Sequence, residues 1–164
     1  MISQVEDQKK NYLPKMIKNL AKQYIAEENS LILLACSLEG DIENTQTLAL
    51  LQKTDIAGKQ AWTRALGVMT KPDRVARGQP NGKLFSMLSG QAFQLGHSYF
   101  VTRQPDQVEL DRGITHGEAR VKEMEYFNSK EPWAATFSAF QDRFGTSNLV
   151  QTLSAKLAAM ALEK

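Results

Sequence analysis

Short apolar runs and longer amphipathic stretches follow one another along the chain. Three apolar runs flanked by polar residues predict strands over residues 30–37, 63–70 and 97–102. Apolar residues at helical spacing predict helices over residues 14–28, 44–53, 82–95, 115–128 and 146–163. The strands begin about 33 residues apart with a helix between each pair, which is the length of a βαβ unit. The pattern therefore predicts an α/β fold, with a parallel sheet flanked by helices.

The same spacing predicts which side chains face the core. The first strand, SLILLACS, is apolar at odd and even positions, which is typical of a parallel strand covered on both faces. The charged residues of EARVKEMEYF are expected on a solvated helix face. The helical stripes predict inward positions at Leu84, Phe85 and Leu88, at Val121, Met124 and Phe127, and at Leu149, Leu153, Leu157 and Met160.

Composition and charge narrow the class of protein. The 164 residues are 42% hydrophobic and 23% charged, so a single domain over residues 1–164 with its own core is expected. The net charge of +2 gives no support to binding of nucleic acid or of a membrane surface. No apolar run reaches the roughly 18–20 residues of a membrane span, and the polar start does not read as a signal peptide. The single cysteine, Cys36, is expected in the core, and the chain is expected in the cytoplasm.

Polar clusters follow each of the three predicted strands. They are Gly40-Asp41, the stretch from Thr70 to Asp73, and Thr102-Arg103. Parallel α/β sheets bind their ligands beyond the carboxyl ends of the strands. The three clusters therefore mark the edge of the sheet at which a site is expected.

The cluster after the second strand, TKPD, has the chemistry of a guanine reader. The guanine edge offers two adjacent donors, and the Asp73 carboxylate is suited to accept from both. Adenine lacks this pair of donors and would leave the carboxylate unpaired. Lys71 can lay its methylene stem along the base, while Pro72 fixes the turn. Lys-Pro-Asp is also ordinary turn chemistry, so the residues alone leave a plain turn as an open alternative.

Residues 17–103 resemble the second half of a dynamin-type GTPase domain. The resemblance rests on IKNLAKQYI, on SLILLACSLEGDIENTQTLALLQKTDIAGKQAWTRALGVMTKPD and on LGHSYFVTRQPD. Further on, EYFNSKEPW is similar to the family's aromatic pair near a Pro-Trp, and RFGTSNLVQTLSAKL to the Gly-Thr that opens its last helix. The resemblance covers nearly the whole chain, and the YFVTR and EPW variants look most like fungal dynamin-like proteins.

The resemblance implies five nucleotide-binding residues. Thr70, Lys71 and Asp73 match the guanine-specificity motif of the family. Thr102 and Arg103 match its second base-contacting loop, which usually reads Asn-Arg-Ser or Asn-Arg-Gly. Here threonine replaces the asparagine and Gln-Pro replaces the small residue. Arg103 is therefore expected to cover the base or the ribose, while the direct contact of Thr102 is left open.

A dynamin-type GTPase also needs a phosphate-binding loop, G-x-x-x-x-G-K-[ST], which these residues do not contain. Asp55–Gly58 spells D-x-x-G but follows a helix, so it is interpreted as a chance match. By the resemblance, the chain begins just after the family's D-x-P-G motif, and the terminal helix, residues 146–164, leads toward the stalk. The expected fold is thus a partial P-loop NTPase domain of the Ras-like, dynamin type, without its phosphate-loop half. No catalytic or metal-binding residue is predicted.

Two main hypotheses for function follow. The first is a guanine-nucleotide-binding half-domain that binds GTP or GDP weakly and is inactive alone, since Mg²⁺ and the phosphates are held only in the intact family. The second is a non-catalytic module that associates with itself or with other subunits of this membrane-remodelling family, through the strand edge at residues 31–37 or the last helix. An unrelated doubly wound domain is a third possibility. Contact with nucleic acid or directly with a membrane is not expected, and whether the chain is an enzyme is left open, as is whether it is a truncated reading frame.

Overall fold

The computed structural model describes residues 15–16, 19–39, 61–75 and 81–162. Strands β1 to β3 span Ile32–Ser37, Ala65–Thr70 and Tyr99–Thr102. Helices α1 to α5 span residues 19–26, Asn81–Leu88, Gln107–Asp111, His116–Ser129 and Thr146–Leu162. Short 3₁₀ helices cover Ala61–Arg64, Pro72–Arg74 and Ser138–Arg143. The predicted helix over residues 44–53, the Gly40-Asp41 cluster and the match at Asp55–Gly58 lie outside the described residues.

The three strands form a parallel sheet in the order β1-β2-β3, which confirms the predicted α/β architecture. Ser37 pairs with Thr70 and Thr70 pairs with Thr102, so the last residues of all three strands are level. Gly67 lies opposite Tyr99, where an added Cβ atom would stand 2.1 Å from the tyrosine ring. The absence of a side chain on Gly67 therefore lets this ring lie across β2.

The two faces of the sheet are covered unequally. One face carries the larger core, in which Cys36 of β1 is fully buried as predicted. This core includes Met69, Val101, Leu84, Met87, Leu88, Phe127, Trp133, Phe137 and Phe144. The opposite face holds a smaller cluster made of Leu66, Val68, Phe100 and Leu149.

Strand β1 departs from the expectation of cover on both faces. Leu33 is 50% exposed and Ala35 is also exposed, although their register partners Leu66 and Val68 are buried. On the same side of the sheet as Leu66 and Val68, Leu149 of α5 packs in one cluster with residues of β2 and β3. The expectation is therefore wrong for β1, which is buried on one face only.

Each strand begins two residues later than predicted, at positions 32, 65 and 99 instead of 30, 63 and 97. Before β2, residues 61–64 form a 3₁₀ turn. Before β3, the Gly96 N–H donates to the Trp62 carbonyl at 2.9 Å, and the His97 N–H donates to the Ala65 carbonyl at 3.0 Å. The residues just before β2 and β3, Thr-Arg at 63–64 and His-Ser at 97–98, are polar, and they lie in turns that lead into the strands.

Helix α2 ends at Leu88, well before the predicted residue 95. Gly90 adopts a left-handed conformation with φ of 76°, and its N–H donates to the Met87 carbonyl, which closes the helix. Phe85, predicted to face inward, is 41% exposed, and Met87 is buried instead. The ring of Phe85 packs edge-on against Phe140, with 5.7 Å between centroids.

Helix α3, Gln107–Asp111, lies in a stretch for which the sequence pattern predicts no helix. Asp106 caps it by accepting from the Glu109 N–H at 2.8 Å, while the Glu109 carboxylate accepts from the Asp106 N–H at 3.0 Å. This capping box satisfies two backbone donors at the start of a helix too short to show an apolar stripe.

The apolar stripe predicted for α4 is largely wrong. Val121 is 57% exposed and Met124 is 61% exposed, and of the predicted three only Phe127 is buried. The buried face of the helix instead consists of Ala119, Glu123 and Phe127, which are spaced four residues apart. A charged residue, Glu123, therefore lies at the centre of the inward face, where the sequence pattern predicted apolar side chains.

Helix α5 confirms the predicted terminal helix, but of its predicted apolar stripe only Leu149 is buried. Leu149 is buried and Leu153 is partly buried, whereas Leu157 is 55% exposed. Within the described ranges, no helix is long and apolar enough to cross a bilayer.

Candidate functional site

The candidate site lies at the carboxyl edge of the sheet, where the strands end side by side. Thr70 and Thr102 are register partners, and Thr102 is buried with 3% of its surface exposed. The chain leaving β1 is attached to the same edge, because the Leu38 N–H donates to the Thr70 carbonyl at 2.9 Å. Two of the three predicted polar clusters are thus brought together, and the third, Gly40-Asp41, lies outside the described residues.

The turn after β2 is built from Lys71 and the 3₁₀ helix Pro72–Arg74. Lys71 has φ of 57° and ψ of 53°, in the left-handed region, and its carbonyl accepts from the Arg74 N–H at 3.0 Å. Pro72 is buried at the start of the short helix, where its missing N–H costs nothing. The turn therefore places the side chains of Lys71 and Asp73 beyond the end of β2, on either side of a fixed proline.

The Lys71 ammonium group forms an ion pair with the Glu39 carboxylate, in the chain just after β1. Both side chains remain about half exposed, at 54% and 53%. The hydrogen bond and the charge of Lys71 lower the pKa of Glu39. Glu39 therefore gives the lysine a defined direction at the rim of the site.

Asp73 is exposed at the same edge. Its carboxylate lies 3.6 Å from the Arg74 guanidinium, in a pair whose side chains are 42% and 64% exposed. Burial raises the pKa of the Tyr126 hydroxyl, and the negative charge of Asp73 raises it further. The Trp133 indole and the positive charge of Arg103 oppose this rise. Asp73 and Arg103 thus both lie near enough to Tyr126 of α4 for their charges to influence its hydroxyl.

The Arg103 guanidinium is held in place by two groups. It donates to the Glu109 carboxylate at 3.0 Å and lies 5.7 Å from the centre of the Tyr126 ring, with only 15% of the side chain exposed. Glu109 also pairs with Lys122 at 3.2 Å. The Asp106 backbone N–H, and then Arg103 and Lys122, lower the pKa of Glu109. The arginine is therefore presented as a fixed planar cation beside the end of β3.

A buried carboxylate, Glu123, lies behind this loop and is 2% exposed. One oxygen accepts from the Arg103 backbone N–H at 2.8 Å and from the Thr146 hydroxyl at 3.1 Å. The other accepts from the Thr146 backbone N–H at 2.9 Å and from Arg120 at 2.8 Å. The carboxylate thus links the end of β3 to the first residue of α5.

Sequence reasoning did not find Glu39, Glu109, Glu123 or Tyr126. Glu109 has a local signal, since Asp106 and Glu109 show the spacing of a capping box. Glu39 is a polar residue just after the end of β1, so the rule that selected the polar clusters after the strands could have selected it as well. Glu123 has no signal in its own segment, because its partners come from three separate elements.

In the part of the chain that the structure describes, no group of three or more histidine, cysteine, aspartate or glutamate side chains is placed to hold a metal ion. The described carboxylates at this edge are instead engaged with lysine, arginine and backbone N–H groups. They do not fit a Mg²⁺ site.

Comparison with known proteins gives the family. No family model matches the chain. The dynamin-related protein DNM1 of Saccharomyces cerevisiae is 32% identical over 154 residues, which cover 93% of this chain and 19% of that protein. The interferon-induced GTP-binding protein Mx1 of Mus musculus is 30% identical over 113 residues, or 69% of this chain and 17% of that protein. The Mx1 protein of Canis lupus familiaris is 26% identical over 140 residues, or 85% of this chain and 20% of that protein.

The fold and the polar strand ends define a segment of an α/β protein with its candidate site at the carboxyl edge of the sheet. By its sequence, this segment belongs to the dynamin-like GTPases. It spans about a fifth of the length of the curated relatives it matches.

Proposed function

We propose that this chain is the C-terminal half of a dynamin-type G domain and that its sheet edge reads the guanine base of GTP or GDP. The observation that carries the proposal is the placement of Lys71, Asp73 and Arg103 beyond the level ends of β2 and β3. The relatives of the chain are named as GTP-binding proteins, which supports guanine as the base.

Asp73 is the specificity residue in this proposal. Its exposed carboxylate is able to accept from the two donors of the guanine edge, in a charge-assisted pair that adenine cannot form. Lys71 flanks the base with its methylene stem while Glu39 holds its ammonium group at the rim. Pro72 separates the two side chains by a fixed backbone step.

Arg103 forms the opposite wall. Its guanidinium is already held by Glu109 and by the face of Tyr126, so little side-chain entropy is lost when a base or ribose packs against it. Thr102 is buried below it and supports the loop, so we assign it no direct contact with the nucleotide.

The proposal gives no hydrolytic step to the described residues. Phosphoryl transfer depends on positioning the phosphates and Mg²⁺, and neither a phosphate-binding loop nor a described metal cluster is available to do so. We therefore propose weak binding of GTP and GDP by the chain alone, with catalysis belonging to an intact domain.

The test is a titration of the chain with fluorescent guanine and adenine nucleotides. We expect guanine to bind more tightly than adenine, and Asp73→Asn to remove the preference by weakening guanine binding about tenfold. Asp142→Asn, at an exposed aspartate in the 3₁₀ helix Ser138–Arg143, is the matched control. Equal affinities for the two bases in the unmodified chain would refute the proposal.

A second candidate function is association with dynamin-like subunits, and the exposed apolar residues favour it. Leu33 of β1 is 50% exposed, and Leu157 of α5 is 55% exposed. Exposed apolar groups on a strand and on a helix end are typical of surfaces that pack against another chain. Light scattering on the chain and on Leu33→Gln and Leu157→Gln tests this candidate. It predicts an oligomer that dissociates in at least one variant, and a monomer at all concentrations would argue against it.

A further inference from the structure

Glu123 is the most deeply buried charged group among the described residues, and base contact does not explain it. It is 2% exposed in a helix whose apolar Val121 and Met124 face outward. An ionised carboxylate is costly to bury unless it is fully hydrogen-bonded. The burial of Glu123 therefore has to be explained by the contacts that its carboxylate makes.

The four bonds of Glu123 account for that role. The donors come from the end of β3, from the first residue of α5 and from α4 itself. The two backbone donors, Arg103 N–H at 2.8 Å and Thr146 N–H at 2.9 Å, are on different oxygens of the carboxylate. One side chain thus fixes two backbone segments that are 43 residues apart (146 − 103).

We propose that Glu123 is a positioning residue for the base-contacting loop, holding the Arg103 backbone in register with the start of α5. The inference rests on the proposed function, because it takes Arg103 as a wall of the base site. Glu109 and Tyr126 direct the guanidinium of Arg103, whereas Glu123 holds its main chain. Glu123 acts on the nucleotide only through Arg103.

The chemistry requires a carboxylate and excludes its amide. In Glu123→Gln, one of the two carboxylate oxygens becomes an NH₂ group. Whichever way the amide turns, that group faces a backbone N–H, of Arg103 in one orientation and of Thr146 in the other. One backbone bond is therefore lost in a side chain of almost unchanged size, so packing is retained while the link is broken.

The experiment is amide hydrogen exchange on the unmodified chain, on Glu123→Gln and on Glu125→Gln. Glu125 is an exposed glutamate two positions further along α4 and serves as the matched control. We expect exchange at Arg103 or Thr146 to become about tenfold faster or more in Glu123→Gln, with Met69 in β2 unchanged. Equal acceleration at Met69 would show general destabilisation and overturn the proposal, as would no change at Arg103 and Thr146.

Nucleotide affinity is measured on the same three proteins. Weaker guanine binding in Glu123→Gln, with Glu125→Gln unchanged, supports the link to the base site. Unchanged affinity in Glu123→Gln, where the unmodified chain binds, would overturn that link. If the unmodified chain does not bind guanine nucleotide, the proposed function fails, and the exchange result alone decides whether Glu123 holds the Arg103 loop.

A variant that fails to fold does not leave the question open, because the bond is measurable in the unmodified chain. A scalar coupling across the hydrogen bond, from the Arg103 amide nitrogen to the Glu123 side-chain carboxyl carbon, is expected by nuclear magnetic resonance. Its absence, with the Arg103 amide signal assigned and sharp, would overturn the proposal.

Discussion

The two sides of the candidate site are built in different ways. The Lys71 side depends on ion pairs among side chains that are about half exposed, Lys71 with Glu39 and Asp73 with Arg74. The Arg103 side depends on a guanidinium 15% exposed and on a carboxylate 2% exposed. Exposed ion pairs contribute little to stability, whereas breaking buried ones is costly. The difference indicates that the side chain of Arg103 is firmly held, whereas those of Lys71 and Asp73 are more adaptable.

The largest effect is expected on the fixed side. Glu123→Ala leaves the Arg103 and Thr146 N–H groups and the Arg120 guanidinium without their acceptor, and we expect a loss of about 3 kcal/mol in the free energy of unfolding. Urea denaturation measures the loss. Glu125→Ala, at the exposed position of the same helix, should stay within about 0.5 kcal/mol. Similar losses in both variants would remove the contrast between the two sides.

A smaller loss in the free energy of unfolding is expected when the ion pair between Arg103 and Glu109 is weakened. Glu109→Gln weakens the bond to Arg103 and the pair with Lys122, and we expect a cost of about 1 kcal/mol. The measurement is again urea denaturation, at low salt. Asp111→Asn, further along the same short helix, provides the comparison. An unchanged free energy of unfolding in Glu109→Gln would show that the ion pair with Glu109 does not stabilise the position of the Arg103 guanidinium.

The contribution of Glu109 should also depend on pH. Its pKa is lowered in the folded chain from an ordinary value of 4.5, so its stabilising effect is complete above that value. The effect is lost as the pH falls below 4.5 through the folded value, because the protonated acid accepts more weakly from the Asp106 N–H and no longer forms ion pairs with Arg103 and Lys122. We therefore expect the stability difference between the unmodified chain and Glu109→Gln to shrink from pH 7 to pH 3. A constant difference would contradict this assignment.

The smallest effect is expected on the adaptable side. Glu39→Gln removes the partner of Lys71 at a site where both side chains are about half exposed, so the denaturation midpoint should stay where it is. Guanine affinity should fall slightly, since Lys71 loses its fixed direction. A large drop in stability would show that the turn after β2 is as firmly built as the loop after β3.

The spacing of apolar residues along the chain predicted most of the secondary structure. The three strands, α4 and α5 follow from apolar spacing, and the level ends of β2 and β3 follow from a parallel sheet. Two of the predicted polar clusters, Thr70 to Asp73 and Thr102-Arg103, accordingly lie at one edge. Their roles toward a nucleotide stay predictions.

The parts that escaped prediction depend on contacts between distant segments. The inward face of α4 could not be predicted, because Glu123 is buried only when donors from β3 and α5 converge on it. The exposed face of β1 could not be predicted either, because the same alternation of apolar residues is buried in the neighbouring β2. The early end of α2 had a local signal in Gly90, but the apolar residues after it continued the helical pattern.

The backbone of Lys71 bears on whether TKPD is an ordinary bend. Its φ of 57° is one that glycine adopts freely and asparagine tolerates, whereas a long side chain costs about 1 kcal/mol there. A bend that served only to reverse the chain would be more stable with glycine at this position. Lys71→Gly is thus expected to relieve the main chain while removing the amine and its stem. The side chain that pairs with Glu39 is thus carried on a backbone conformation that glycine would adopt at a lower cost in free energy.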